Sequence, residues 1–185
     1  MVLKKKSMSV EVPFIDTIVE ISAVDLQKLD KKSIKLDLTR ILHGRSTEAT
    51  FMISVNDGKA TAELKRLVLL PFYIQRAMRK GISYVEDSFS CKALDNNLRI
   101  KPFFITRNSV HRAVRKALKI KAQETIREYC ASNNTSDIFS SIASGKLQKE
   151  LALKLKKIYP LSFCEIRIAE IEKGKETGNK ENNKV

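Results

Sequence analysis

From residue 17 to residue 106 the sequence breaks into short runs that alternate apolar and polar side chains, separated by turn-forming residues. That pattern constrains the fold more than any other feature, because side chains alternate between the faces of a strand with a period of two. Ser33–Leu42 (SIKLDLTRIL) places Ile34, Leu36 and Leu38 on one face and Lys35, Asp37 and Thr39 on the other. Thr17–Ser22 (TIVEIS) and Glu48–Val55 (EATFMISV) read as strands in the same way, and Lys59–Arg66 alternates again after Asn56-Asp57-Gly58. Asp-Gly between two alternating runs is a strong hairpin signal, since a type I′ turn needs positive φ at both central residues. Ile82–Glu86, Ser88–Leu94 and Leu98–Thr106 follow as further strands, with Asp95-Asn96-Asn97 as the turn between the last two. Pro71 opens FYIQRAMRK and Gly81 closes it, the residue types that begin and end a helix.

Beyond Thr106 the period changes. Asn108 is a suitable N-cap, and Ser109–Ala131 reads as one long helix. Asp137–Ser144 reads as a short helix stopped by Gly145. Leu147, Leu151, Leu155 and Ile158 mark a third helix, ended by Pro160, and Ser162–Glu172 returns to strand. The expected fold is therefore α+β: an antiparallel β-barrel of about six to seven strands, with a long basic helix and two shorter helices packed on it. The expected organisation is a basic N-terminal arm over 1–13, a single domain over 14–172 and a disordered tail over 173–185. The arm is expected to be extended and to order only on a polyanion, having no helical periodicity of its own.

Charge narrows the partner. Lys and Arg number 35 against 21 Asp and Glu, a net charge of +14. The excess is clustered: residues 65–81 hold five basic residues and no acid, and residues 98–129 hold nine basic residues and two acids. Such clustering is the footprint of a polyanion partner. Within the long helix, Ala113, Val114, Ala117 and Leu118 share one arc, while Arg112, Arg115, Lys116 and Lys119 share the opposite one. No acid at i±4 neutralises that stripe. Aromatic residues make up 6% of the chain, Trp is absent and no ribonucleoprotein aromatic motif occurs. Phosphate and shape contacts are therefore expected rather than base stacking.

Other function classes find little support. There is no GxxxxGK, GxGxxG or GxSxG pattern. His43-Gly44-Arg45-Ser46 reads as a polar turn, because no third group orients His43 and Ser46 as a base and nucleophile. Neither catalysis nor a cofactor is expected. Cys91, Cys130 and Cys164 are scattered and read as small buried apolar residues with reduced thiols, and no metal site is expected from them with only two histidines. The longest apolar run, Leu67–Ile74, is eight residues and contains Pro71, whereas a membrane helix needs about 20. MVLKKKSMSVEV lacks the apolar stretch of a secretory leader.

Four motifs carry a resemblance, in order along the chain. Thr17–Leu26 (TIVEISAVDL) looks like the strand "VVEVSLADL". Tyr73-Ile74-x-Arg76-x-x-Arg79-Lys80 is similar to the short basic helix "YIRSLVRR". Ser109-x-x-Arg112-x-x-Arg115-Lys116 looks like "SQIRAIRK", and Tyr159-Pro160-Leu161-x-x-x-Glu165-Ile166-Arg167 matches "YPL…EIRK". Together they resemble the archaeal and eukaryotic small-subunit ribosomal proteins of the S-one-e (S-three-a) type, and the resemblance covers about residues 4–172. Ser7-Met8 stand where that family carries Trp-Tyr, a Gly-rich stretch before the first strand is missing, and Asp95-Asn96-Asn97 replace its "DGY" turn, as in a shortened, divergent member. The resemblance implies a β-barrel with packed helices and a structural role on the platform of the small subunit, in the cytoplasm. It implies small-subunit ribosomal RNA and neighbouring ribosomal proteins as partners, with messenger RNA near the exit as a further one. A free-standing RNA-binding or translation-regulating protein of the same fold is the alternative. On either reading the candidate RNA-binding residues are Lys4, Lys5, Lys6, Lys65, Arg66, Arg76, Arg79, Lys80, Arg107, Arg112, Arg115, Lys116, Lys119 and Arg167.

Overall fold

The two longest alternating runs pair with each other. In the computed structural model, which describes residues 6–42, 44–56 and 59–172, Thr47–Asn56 and Lys59–Leu69 form an antiparallel ladder that ends with Asn56 opposite Lys59. The intervening Asp57-Gly58, expected as a type I′ turn, lies outside the described residues. Numbered along the chain, the strands are β1 (Lys6–Val12), β2 (Thr17–Ala23), β3 (Ser33–Asp37), β4 (Thr47–Asn56), β5 (Lys59–Leu69), β6 (Tyr84–Glu86), β7 (Phe89–Lys92), β8 (Asn97–Thr106) and β9 (Leu161–Ile171). The helices are α1 (Pro71–Ala77), α2 (Arg112–Ala131), α3 (Thr135–Ser144) and α4 (Lys146–Lys156). The α+β class expected from the sequence is the class observed.

The strands form one mixed sheet rather than the expected barrel. Its order is β2-β1-β5-β9-β8-β6, with β4 also on β5, β3 on β4 and β7 on β8. Every pairing is antiparallel except β1 with β5, which is parallel and joins Glu11 to Thr61. The sheet stays open because its long strands branch. β5 meets β1 at Thr61 and β9 at Arg66–Val68, and β8 meets β7 over Asn97–Ile100 and β6 over Phe103–Ile105. Nine strands also exceed the six to seven expected, and one of the additions corrects the reading of the N-terminus. Lys6–Val12 is not a free arm but a strand paired along its whole length with β2, with Val10 and Val12 at 0% and 1% exposure. Of the segments expected to be arm and tail, residues 1–5 and 173–185 lie outside the described residues.

Local chemistry explains two shifted boundaries. The strand expected over Ser33–Leu42 stops at Asp37, whose carboxylate accepts hydrogen bonds from the Thr39 N–H (2.8 Å) and the Thr39 hydroxyl, turning the chain. The helix expected from Ser109 starts at Arg112, with His111 as an N-cap that makes no side-chain bond. The Val110 N–H is instead bonded to Ser83 Oγ at 3.1 Å.

α2 packs on the sheet through Leu118, Ala122, Ile126 and Cys130, all buried. Opposite them lie Val85, Phe89, Cys91, Leu98, Ile100 and Phe104 in the same core. Leu118 is fully buried, so Leu118→Ala should destabilise by about 2–5 kcal/mol in denaturant unfolding. A loss below about 1 kcal/mol would mean that this stripe does not anchor α2. α4 covers β9 with Leu147, Leu151 and Leu155, which are also buried. Where α3 meets α4, Gly145 has φ +76°, and Arg45 reaches the same junction. Its Nη1 donates to Ala143 O at 3.4 Å and its Nε lies 3.6 Å from Glu165 Oε1. Gln148 Nε2 donates to Glu165 Oε2 at 3.2 Å and to Ile142 O at 2.9 Å.

Candidate nucleic-acid interface

Three ties hold α2 above β6 and β7 and fix where its cations stand. At the entrance, Ser83 joins β8 to the lead into α2: its N–H donates to Thr106 Oγ1 at 3.1 Å, its carbonyl accepts from the Thr106 N–H at 2.9 Å, and its hydroxyl accepts from Val110 N–H. Halfway along, Gln123 Nε2 donates to Asp87 Oδ2 at 2.6 Å. Further on, the Arg127 guanidinium lies 5.6 Å from the Phe89 ring centroid. Arg112, Arg115, Lys116 and Lys119 fall between the first tie and the second. With Ile82, Ser83, Tyr84 and Val85 they line a groove of about 560 Å³ that contains no carboxylate.

The opposed arcs read from the sequence hold with one exception. Leu118 is buried, Val114 and Ala117 are half-buried, and Arg112, Arg115 and Lys116 are exposed with Lys119 half-buried. Ala113, placed on the apolar arc, is exposed. Among the described residues none of the four cations forms an ion pair. Many other cations do: Lys35 with Glu48, Lys121 with Glu124, Lys154 with Glu150 and Arg99 with Glu172, at 3.0–3.5 Å. The first turn of α2 holds no acid, so the positive end of the helix dipole adds to the four side chains rather than being cancelled. A groove of this kind can hold phosphate groups by charge-assisted, partly bidentate hydrogen bonds.

The remaining candidates are spread over other surfaces. Arg66 pairs with Glu170 at 3.2 Å across β5 and β9, and Arg167 pairs with Glu86 across β9 and β6. Both are thus already committed to carboxylates. Lys65, next to Arg66 on β5, is half-buried. Arg76 on α1 lies 5.5 Å from the centroid of the Phe72 ring. Arg79 and Lys80 are exposed beyond the end of α1, which stops at Ala77 rather than running to Gly81. Arg107 is exposed just past β8. Lys6 begins β1, while Lys4, Lys5 and His43 lie outside the described residues. Ser46 is buried. Cys91 and Cys130 are buried and Cys164 is half-buried, and burial pushes the Cys164 thiol up to about 12. Among the described residues no helix is long and apolar enough to cross a membrane.

What the sequence alone did not supply is the second wall of the groove. Tyr84 and Ser83 stand about thirty residues before the basic helix, and no spacing rule links them to it.

Comparison with known proteins adds the lineage. The Ribosomal S3Ae family matches residues 4–174. A small ribosomal subunit protein eS1 from Pyrobaculum arsenaticum is 26% identical over 157 residues, covering 80% of this chain and 71% of its own length. The protein of the same name from Pyrobaculum neutrophilum is 27% identical over 152 residues, covering 80% and 68%. That from Nanoarchaeum equitans is 30% identical over 119 residues, covering 63% and 60%.

Proposed function

The chain belongs to the Ribosomal S3Ae family, whose members are structural ribosomal proteins and not enzymes, and from that premise we propose that it is built into the small ribosomal subunit and binds ribosomal RNA chiefly through the N-terminal half of α2. The observation that carries this reading is the acid-free groove faced by Arg112, Arg115, Lys116 and Lys119. Four cations left without carboxylate partners on one face repel one another, and a polyanion relieves that repulsion. Arg76, Arg79, Lys80 and Arg107, exposed on other surfaces, are further candidate contacts, as are Lys4, Lys5 and Lys6. Lys65, Arg66 and Arg167 contribute less, the two arginines being already paired.

On this reading β1 through β9 act as one RNA-binding domain, and neighbouring small-subunit proteins meet its other faces. The proposed position, on the platform near the messenger exit of a cytoplasmic ribosome, is supported by the family resemblance alone. Sucrose-gradient sedimentation after a high-salt wash tests the assignment. The protein should remain with small subunits, as an integral component does. Quantitative release into the free pool would favour a free-standing RNA-binding protein of the same fold.

A further inference from the structure

The edges of the sheet are not guarded alike. Among the described residues β2, β3, β6 and β7 each pair on one side only. β6 and β7 are three and four residues long, and β3 is five residues long and carries Lys35. Short length and lysine are devices that keep an edge strand from pairing with another chain. β2 has neither. It runs for seven residues, Thr17–Ala23, in unbroken register with β1, without Lys, Arg, Pro or a bulge. Among the described residues the backbone of residues 18–22 makes no hydrogen bond outside that ladder. The core layer is also unfinished here. Val10 and Val12 of β1 are fully buried, whereas Val19 and Ile21, one strand further out and in register with Val10 and Met8, pack against the core yet stay half-buried. On the opposite face Ile18, in register with Glu11, is 63% exposed.

The charge of this edge is opposite to that of the chain. Between Lys6 and Lys28 lie Glu11, Asp16, Glu20 and Asp25 and no Lys or Arg, in a protein with a net charge of +14. All four acids are exposed. Glu20 accepts a hydrogen bond from Ser7 Oγ at 3.0 Å, and among the described residues Glu11, Asp16 and Glu20 form no ion pair. Such an edge repels phosphates. A second copy of the chain centred on it would set two Glu20 carboxylates opposite each other, which is unfavourable. An extended segment with basic side chains is attracted instead. We propose that β2 receives a basic segment of another protein, which adds to the sheet as a further strand, with a cation at Glu20 and apolar side chains beside Val19 and Ile21. Main-chain hydrogen bonds along β2 supply the binding, and the carboxylates and half-buried side chains select the partner. The proposal deepens the small-subunit reading and rests on it for the source of the segment, a neighbouring ribosomal protein.

The test measures hydrogen exchange over residues 17–23 in the free protein and in intact small subunits. Successive residues of an edge strand turn their N–H groups alternately toward the neighbouring strand and toward the open side, so about three amides should gain protection on assembly. Zero-length carbodiimide crosslinking of the same subunits, read by mass spectrometry, identifies the occupant, and any lysine joined to Glu20 should belong to another protein. Exchange as fast in subunits as in the free protein would overturn the docking edge, while co-sedimentation of the protein would leave the small-subunit reading standing. Absence of the protein from the subunits would remove that reading and the partner together. An ultraviolet crosslink from β2 to RNA, or a join of Glu20 to a lysine of this same chain, would also overturn the proposal. Glu20→Lys is an exposed change outside the core. In a variant shown by circular dichroism to be folded, it should return exchange over residues 17–23 to the free-protein rate, and undiminished protection would show that a basic segment is not what covers the edge.

Discussion

Replacing Arg112, Arg115, Lys116 and Lys119 together with Gln is expected to lower the salt dependence of RNA binding by about 3 in the slope of log K against log salt. Each phosphate contact contributes about 0.7–0.9 through counterion release, and these four side chains face the groove with no carboxylate to hold them. At about 0.1 M monovalent salt the same change corresponds to roughly two to three orders of magnitude in affinity. The thermal midpoint should barely move, because these side chains lie outside the core cluster around Leu118, Ala122 and Ile126, and removing mutual repulsion does not harm the fold. Filter binding across a salt series, with far-ultraviolet circular dichroism on the same samples, checks both halves. An unchanged slope in a folded variant would remove α2 from the interface.

A stability effect that depends on pH is expected at Arg45. Its guanidinium stands beside Glu165, which is 8% exposed. Burial pushes the Glu165 carboxyl above the usual carboxylate range, and Arg45 and the Gln148 hydrogen bond pull it back. Arg45→Met removes the stronger of those two restraints and leaves a buried carboxylate without a counter-charge, a change that costs about 3 kcal/mol at neutral pH. A carboxyl whose folded pKa is raised contributes stability below its unfolded pKa and loses that contribution as pH rises through the folded value. In the variant the pKa rises further, so the deficit against native protein should be greatest at neutral pH and shrink on acidification. Adding Glu165→Gln to Arg45→Met should recover much of the loss. Urea denaturation at neutral and mildly acidic pH gives the comparison, and a deficit independent of pH would show that lost packing, not a stranded charge, is responsible. Gly145 guards the same contact. A Cβ there would stand 2.3 Å from Arg45 Nη2 at a backbone φ of +76°, so Gly145→Ala should displace the guanidinium and strain the chain together.

How much of this was legible follows from the range of the interactions. The strands whose alternation is local, such as β3 and β5, are legible in position if not in length, being expected over Ser33–Leu42 and Lys59–Arg66 and found over Ser33–Asp37 and Lys59–Leu69, and so is the amphipathic stripe of α2. β1 also carried a signal: Met8, Val10 and Val12 alternate with Ser7, Ser9 and Glu11. Barrel closure was not legible, because whether a sheet closes depends on which distant strands share an edge. The single parallel link of Glu11 to Thr61 and the short ladder between β5 and β9 leave no trace in either local pattern. The candidate site divides in the same way. The basic wall lies on one helix with helical spacing, whereas Ile82–Val85 reach it only through tertiary pairing. Arg66 and Arg167 looked equivalent to the α2 cations in sequence, yet cross-strand register gives each a carboxylate. Arg45 sat in an unremarkable polar turn, 120 residues from Glu165 in the chain.

Ultraviolet crosslinking of intact small subunits, with the joined residue and nucleotide both identified by mass spectrometry, tests the central claim most directly. The account predicts crosslinks between small-subunit ribosomal RNA and α2 within residues 112–119. Subunits that contain the protein but join RNA only to other faces, with α2 free of crosslinks, would contradict it.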